Sequence, residues 1–304
     1  MNYLTELDLS ASETLEVLAL ARALKAARGA PRDDLRGKHV ALYFEKPSVR
    51  TRVSFTLAVR ELGGDVVELG GHNTKVGHGE DIEDFAKVLD GYVHALVARV
   101  FAQDSLTALA RQFRGPVINA LSDERHPCQA LADVMTICER FDRTDGLKGI
   151  EIAFIGEGNN VATSLALLAA RLGADVRVAS PEGRGLPAWA LEKGPAGSVT
   201  QFEQPELAAV GAHVLVTDTW VSMGREEDAS ALKASLSRYR IDEALIARSR
   251  PESIVLHCLP AVRGEEITPE IMYGPRSAIW QEAENRLHVQ KALLQRLLAA
   301  HPTA

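Results

Sequence analysis

The residues best suited to chemistry stand in short runs between long apolar stretches. Phe44-Glu-Lys-Pro-Ser48-Val49-Arg50-Thr51-Arg52 opens a helix directly after an apolar run. A helix N-terminus offers unpaired N–H groups and a partial positive charge, so it holds phosphate well. Ser48 and Thr51 add hydroxyls, and Arg50 adds a planar fork that matches phosphate oxygens. Ser-x-Arg alone reads as a plain N-cap beside solvated arginines. Two arginines and two hydroxyls in one helical turn favour anion binding. His126-Pro-Cys-Gln129 has the same placement, with His126 and Gln129 on one helical face. A histidine can donate to a carbonyl oxygen, and a glutamine can accept from an amide or donate to an oxygen. By itself the pair is weak, because a histidine there is often only a cap. Arg99 ends another apolar run and is either a surface charge or a third cation at the same edge.

The second half holds three further runs. Ile155-Gly156-Glu-Gly158-Asn159-Asn160 mimics a dinucleotide fingerprint, but Val161 replaces the third glycine. No acid closes the next strand, where Val178-Ala179-Ser180 stands. Both departures speak against a nicotinamide cofactor. The run is a tight strand–helix turn, or it lets Asn160 point its amide at a small polar ligand. Asp218-Thr-Trp-Val-Ser222-Met223-Gly224 is a surface loop, or places Asp218 against an ammonium group with Gly224 permitting movement. His257-Cys258-Leu259-Pro260 leaves Cys258 as an inert thiol, a zinc ligand or a reactive group. The chain has no Cys-x-x-Cys pair, and His72 and His78 stand six apart in a polar loop, so no metal site is expected. Arg286 is a solvated charge or one more anion contact.

The elements that must carry these runs alternate. Ser10-Ala-Ser-Glu13 forms a capping box for a helix that reaches Arg28 and stops at Gly29 and Pro31. Strands are expected at His39–Phe44, Val66–Leu69, Ala95–Arg99 and Pro116–Asn119. Helices follow at Pro47–Gly63, with Val49, Val53 and Leu57 on one stripe, and at Asp84–Tyr92, Ser105–Gln112 and Cys128–Arg140. The charged segment Asp142–Gly149 is a candidate boundary, after which the pattern restarts. Strands are then expected at Ile150–Ile155, Val176–Ala179, Val214–Thr217 and Ile254–Leu256, with helices at Asn160–Leu172 and Glu282–Ala300. Strand–helix alternation specifies an α/β fold with mostly parallel sheets flanked by helices. In such sheets ligands sit beyond the carboxyl ends of the strands, where these runs fall.

Composition narrows the class. The chain has 304 residues, which at roughly 150 per domain suggests two domains. Its 46% hydrophobic and 25% charged residues exclude wholesale disorder. A net charge of −7 argues against a nucleic-acid or anionic-membrane partner, so an anionic ligand needs a local cationic pocket. Three cysteines are too few for a disulfide framework and fit a reducing cytosol. The chain start lacks a basic stretch followed by an apolar one, and no run of 18 apolar residues occurs, so a cytoplasmic protein is expected.

Taken in order, Ser48-Val-Arg-Thr-Arg, His126-Pro-Cys-Gln, Asp218-Thr-Trp-Val-Ser-Met-Gly and His257-Cys-Leu-Pro resemble the signature blocks of the ornithine carbamoyltransferases. The first two blocks are shared with aspartate carbamoyltransferases; the last two separate the ornithine enzymes. The resemblance covers nearly the whole chain. It implies a carbamoyl-phosphate domain at 1–140, an ornithine domain at 141–284, and a closing helix at 285–304 that packs back on the first. It implies no cofactor, and a homotrimer or a multiple of it with active sites at subunit borders. Its carbamoyl-phosphate contacts fall on Ser48, Val49, Arg50, Thr51, Lys75, Arg99, His126, Gln129, Cys258, Leu259 and Arg286. Its ornithine contacts fall on Asn160, Asp218, Ser222 and Met223, with Arg50, Arg99, His126, Asp218 and Cys258 as the catalytic set. The implied reaction carries a carbamoyl group to the side-chain amine of ornithine in arginine metabolism. Rival readings are transfer to putrescine, an acylated ornithine or aspartate, a nicotinamide dehydrogenase, or a binding module without turnover. Three positions depart from the family pattern. Val49 stands for threonine or methionine at a position that mainly offers a backbone N–H. Lys75 stands for glutamine and resembles the aspartate enzymes, and Val262 stands for histidine.

Overall fold

A computed structural model describes residues 1–70, 80–191, 196–221 and 229–299. The chain forms two units, one of Met1–Leu131 with Arg286–Ala304 and one of Ala132–Asn285.

The first unit opens with α1 (Ala11–Ala26), whose Ser10 and Glu13 complete the expected capping box. Strands β1 (His39–Phe44), β2 (Asp65–Gly70), β3 (Ala95–Arg99) and β4 (Val117–Leu121) form one parallel sheet in the order β2-β1-β3-β4. β1 and β3 are nearly continuous buried apolar runs, as central strands covered on both faces must be. Between the strands run α2 (Val49–Glu61), α3 (Ile82–Asp90) and α4 (Gln103–Gln112), and α5 (Pro127–Arg140) follows β4. The core joins Tyr43, Leu96, Phe85, Leu106, Leu109 and Phe113, with the Tyr43 and Phe85 rings 5.2 Å apart. Each such side chain contributes about 1.5–3 kcal/mol by leaving water.

One expected stripe lies on the outer face. In α2 the buried residues are Thr51, Phe55, Ala58 and Val59, whereas Val49, Val53 and Leu57 are exposed, Val49 by 79%. The apolar spacing is helical, but the stripe of Thr51, Phe55 and Val59, two residues on and nearly opposite, is the buried one.

In the second unit β5 (Glu151–Ile155), β6 (Asp175–Ala179), β7 (Ser198–Phe202), β8 (Val214–Thr217) and β9 (Ile254–His257) form a parallel sheet in the order β7-β6-β5-β8-β9. Its helices are α6 (Asn160–Arg171), the short α7 (Pro205–Ala209), α8 (Ala229–Leu236), α9 (Glu243–Ile246) and α10 (Pro269–Met272). The closing helix α11 covers Ile279–Ala299. α6 is apolar on nearly every side and correspondingly buried. β7 escaped the sequence reading because it is an edge strand of mixed composition with only Val199 buried. Among the described residues no helix is long and apolar enough to cross a membrane.

Candidate active site

In an open parallel sheet the crevice for a ligand forms where the strand order reverses. In the first unit that point lies between β1 and β3, because β1 is followed by β2 on one side and has β3 on the other. Phe44 and Arg99, the last residues of the two strands, are register partners, and the Glu45 N–H donates to the Arg99 carbonyl at 2.9 Å. The Ser48 turn therefore starts beside Arg99.

Ser48 caps α2, its Oγ accepting from the Thr51 N–H at 3.3 Å. Thr51 is fully buried, and its Oγ1 accepts from Arg286 Nη2 at 2.6 Å. No acidic residue occupies the first turn of α2, α5 or α6, whereas α1 and α4 each carry one and α3 carries two. The positive ends of the three site helices are thus left for a ligand. Arg99, His126, Gln129 and Arg286 are all buried. Burial holds the His126 imidazolium well below the usual histidine range, and the charges of Arg286 and Arg99 lower it further. His126 is therefore held neutral near pH 7 beside two charged guanidinium groups. Arg50 is exposed in the first turn of α2. The Val49 side chain is exposed. Cys128, between His126 and Gln129, donates to the Asn119 carbonyl at 3.4 Å and is pushed up to about 12 by burial, so it is an inert thiol.

Three groups that sequence reasoning passed over fix the loops of this unit. Lys46, after β1, is paired with Asp123, after β4, and its ammonium lies 4.5 Å from the Phe101 ring centre. Glu45 Oε2 accepts from the Phe101 N–H at 2.8 Å, after β3. Arg125 pairs with the fully buried Glu6. These residues look like ordinary surface charges in sequence, and only the fold brings their loops together.

In the second unit the order reverses between β5 and β8. The glycine-rich turn after β5 is occupied by protein. The Gly158 N–H donates to the Arg184 carbonyl at 2.8 Å, and a Cβ on Gly158 would lie 2.3 Å from the Gly185 carbonyl carbon. This close loop contact accounts for the second glycine without a dinucleotide. Asn159 caps α6, and the half-buried Asn160 is its first residue. Thr217 Oγ1 donates to the Ile155 carbonyl at 2.7 Å and ties the two strand ends together. Asp218, next along the chain, accepts from Cys258 Sγ at 2.9 Å through Oδ1, from the Thr219 N–H at 2.7 Å through Oδ1, and from Asn159 Nδ2 at 2.8 Å through Oδ2.

The Cys258 thiol is pushed well above its usual range, first by burial and then by Asp218, with Glu282 and Asp133 adding to the effect. It stays protonated at neutral pH and acts as a donor, because the thiolate is the nucleophilic form. His257 shapes the turn that presents it. Its Nδ1 accepts from the Leu259 N–H at 2.9 Å, and its Nε2 meets Glu266 Oε1 at 3.0 Å, with both side chains fully buried. Glu266 Oε1 also accepts from the Val262 N–H, and the His257 N–H donates to Glu282 Oε2 at 2.7 Å. Among the described residues Asp218, His257 and Cys258 are a cluster of metal-ligating types. A metal there would have to displace a bond from His257, since both ring nitrogens already hold partners.

The structure thus gathers Ser48, Thr51, Arg99, His126, Gln129 and Arg286 in one unit, and Asn160, Asp218, Cys258 and Leu259 in the other. Lys75, Ser222 and Met223 lie outside the described residues.

A parallel α/β unit with buried cations at its switch point, and a second with a carboxylate and a protonated thiol at its own, define an enzyme of anion and amine chemistry. Residues 2–139 match the carbamoyl-phosphate-binding domain, and residues 148–297 the Asp/Orn-binding domain, of aspartate/ornithine carbamoyltransferase. The chain belongs to the aspartate/ornithine carbamoyltransferase family. It is 49% identical to an ornithine carbamoyltransferase of Acidothermus cellulolyticus, over 98% of this chain and 97% of the relative. Its structure is similar to the ornithine carbamoyltransferase of Pyrococcus furiosus, with a TM-score of 0.94 at 40% identity over 99% of this chain and 98% of that one. It is also similar to an anabolic ornithine carbamoyltransferase from Campylobacter jejuni, with a TM-score of 0.91 at 34% identity over 99% of both.

Proposed function

We propose that this chain transfers the carbamoyl group of carbamoyl phosphate to the side-chain amine of L-ornithine, giving L-citrulline and phosphate in arginine biosynthesis. The observation that carries this reading is the Asp218–Cys258 contact at 2.9 Å beside the cap of α6, in the domain whose family is named for the amino acid. Asp218 receives the α-ammonium, with Asn160, Ser222 and Met223 completing the amino-acid site. Carbamoyl phosphate is held by Ser48, the Val49 N–H, Arg50, Thr51, Gln129 and Arg286, with Lys75, Cys258 and Leu259 as further contacts.

Carbamoyl phosphate is already an activated acyl donor, so the residues orient it and stabilise charge. The ornithine side-chain amine must be neutral to attack, against a solution pKa of about 10.4 for a lysine-like amine. Desolvation at the site favours the neutral form, and Cys258 stands beside it as a donor. The amine nitrogen bonds to the carbonyl carbon, and the oxygen that gains charge faces Arg50, Arg99 and His126. Removing one such donor typically costs on the order of 10²–10³ in rate. The carbon–oxygen bond to phosphate then breaks, and the departing phosphate takes the amine proton while the Ser48 helix holds it. Neither Asp218 nor Cys258 forms a covalent intermediate.

The assembly is read as a homotrimer or a multiple of it with active sites at subunit borders, and the exposed Val49, Val53 and Leu57 of α2 offer a partner subunit apolar surface to cover. A cytoplasmic location accompanies this reading. The test is colorimetric citrulline formation by the purified chain with ornithine, aspartate and putrescine offered separately. Product from ornithine alone is expected; faster turnover of either other acceptor overturns the assignment.

A further inference from the structure

Asn159 joins two parts of the amino-acid site. Its Oδ1 accepts from the Val161 and Ala162 N–H groups, both at 3.0 Å, and so caps α6. With the oxygen committed to two donors, the amide nitrogen must face the other way. It donates to Asp218 Oδ2 at 2.8 Å. The other oxygen of Asp218 is held by Cys258 Sγ at 2.9 Å and the Thr219 N–H at 2.7 Å. Asn159 is therefore the group that fixes the remaining freedom of this carboxylate, and it transmits to it the orientation of the helix N-terminus.

We propose that Asn159 is a positioning residue for acceptor binding: it locks Asp218 in the one orientation that serves both Cys258 and the α-ammonium of the amino acid. The inference rests on the ornithine reading above. It separates two adjacent asparagines that look alike in sequence, giving Asn160 to the ligand and Asn159 to Asp218.

Chemistry supplies a discriminating pair of variants. Aspartate and serine both cap helices about as well as asparagine. Asn159→Asp keeps the cap but brings a second carboxylate against Asp218 in place of a donor. Two carboxylates that close share a proton, and the pair titrates as a unit. Glu282 from α11 and Asp133 from α5 already place negative charge near Cys258, His257 is turned to Glu266, and Arg184, which packs on the same turn as Asn159, is paired with Glu157 at 3.2 Å. Asn159→Ser keeps the cap and only deletes the donor.

The experiment uses the full chain and both variants, with circular dichroism and thermal unfolding as fold checks. Steady-state kinetics are measured for each substrate across pH 6 to 9. Both variants are expected to raise the ornithine KM at least tenfold while the carbamoyl phosphate KM stays within twofold. In Asn159→Asp alone the acid limb of kcat/KM for ornithine should move up by about one pH unit or more, because two adjacent carboxylates hold a shared proton to higher pH. Wild-type ornithine KM in either folded variant, equal changes in both KM values, or an unmoved acid limb in Asn159→Asp overturns the inference. Absence of citrulline with the unaltered chain overturns the underlying reading instead, so the two failures are distinct.

Discussion

Arg286 donates to Thr51 Oγ1 at 2.6 Å across 235 residues of sequence, fixing the closing helix α11 to the first turn of α2. The bond holds a buried guanidinium at the helix end proposed to take phosphate. Hydrogen bonds to charged groups contribute about 1.5–3 kcal/mol. Thr51→Val should therefore weaken binding of carbamoyl phosphate or inorganic phosphate by roughly 10- to 100-fold, measured by calorimetry. Ornithine-site variants should leave that affinity unchanged.

Arg50 is exposed, so its removal should leave the fold intact. Arg50→Ala is expected to cost several orders of magnitude in turnover with no change in thermal midpoint. Near-normal turnover would remove Arg50 from the phosphate site.

Asp218→Ala should abolish ornithine use while carbamoyl phosphate still binds. Calorimetry with each ligand separately checks this division, and loss of phosphate affinity with ornithine binding retained would reverse it.

His126 gives a pH signature. Burial and then the charges of Arg286 and Arg99 depress its pKa in the folded chain, and burial first also depresses His94 and His213. The unfolded state, with histidine near about 6.5, binds more protons than the folded state below that pH. Stability is therefore full above about pH 6.5 and falls as the pH drops below it. His126→Gln should remove part of that slope, measured by urea unfolding between pH 5 and 8; an unchanged slope would mean the imidazole is not held neutral.

His257 shapes the Cys258 turn from a fully buried position. His257→Leu strands the Leu259 N–H and leaves the Glu266 carboxylate with the Val262 N–H but without the imidazole, at about 1–3 kcal/mol for each group that loses a partner. Denaturant unfolding should show this loss. The alkylation rate of Cys258 should rise as its turn loosens.

Much of the fold was legible because β1, β3, β5 and β8 are continuous apolar runs, and the chemical residues follow them directly. The placement of Ser48 and His126 at helix starts beyond strands was legible for the same reason. What stayed hidden depends on distant partners. Arg286 and Thr51 acquire their joint role only when α11 meets α2. Lys46 and Asp123 look solvated until their loops adjoin. Asn159 and Asn160 look alike in sequence, and no spacing rule reports that Asn159 donates to Asp218. The Val49, Val53 and Leu57 stripe had helical spacing but faces outward, since periodicity identifies a face and not what covers it.

The central claim is tested most directly by competition in one tube. Carbamoyl phosphate labelled with ¹³C at its carbonyl is mixed with equal ornithine, aspartate and putrescine, and carbon and phosphorus resonances are followed together. The account predicts label in the ureido carbon of citrulline, with one phosphate released per citrulline above the enzyme-free blank. Label arriving in carbamoyl aspartate or carbamoyl putrescine, or phosphate released without citrulline, would contradict it.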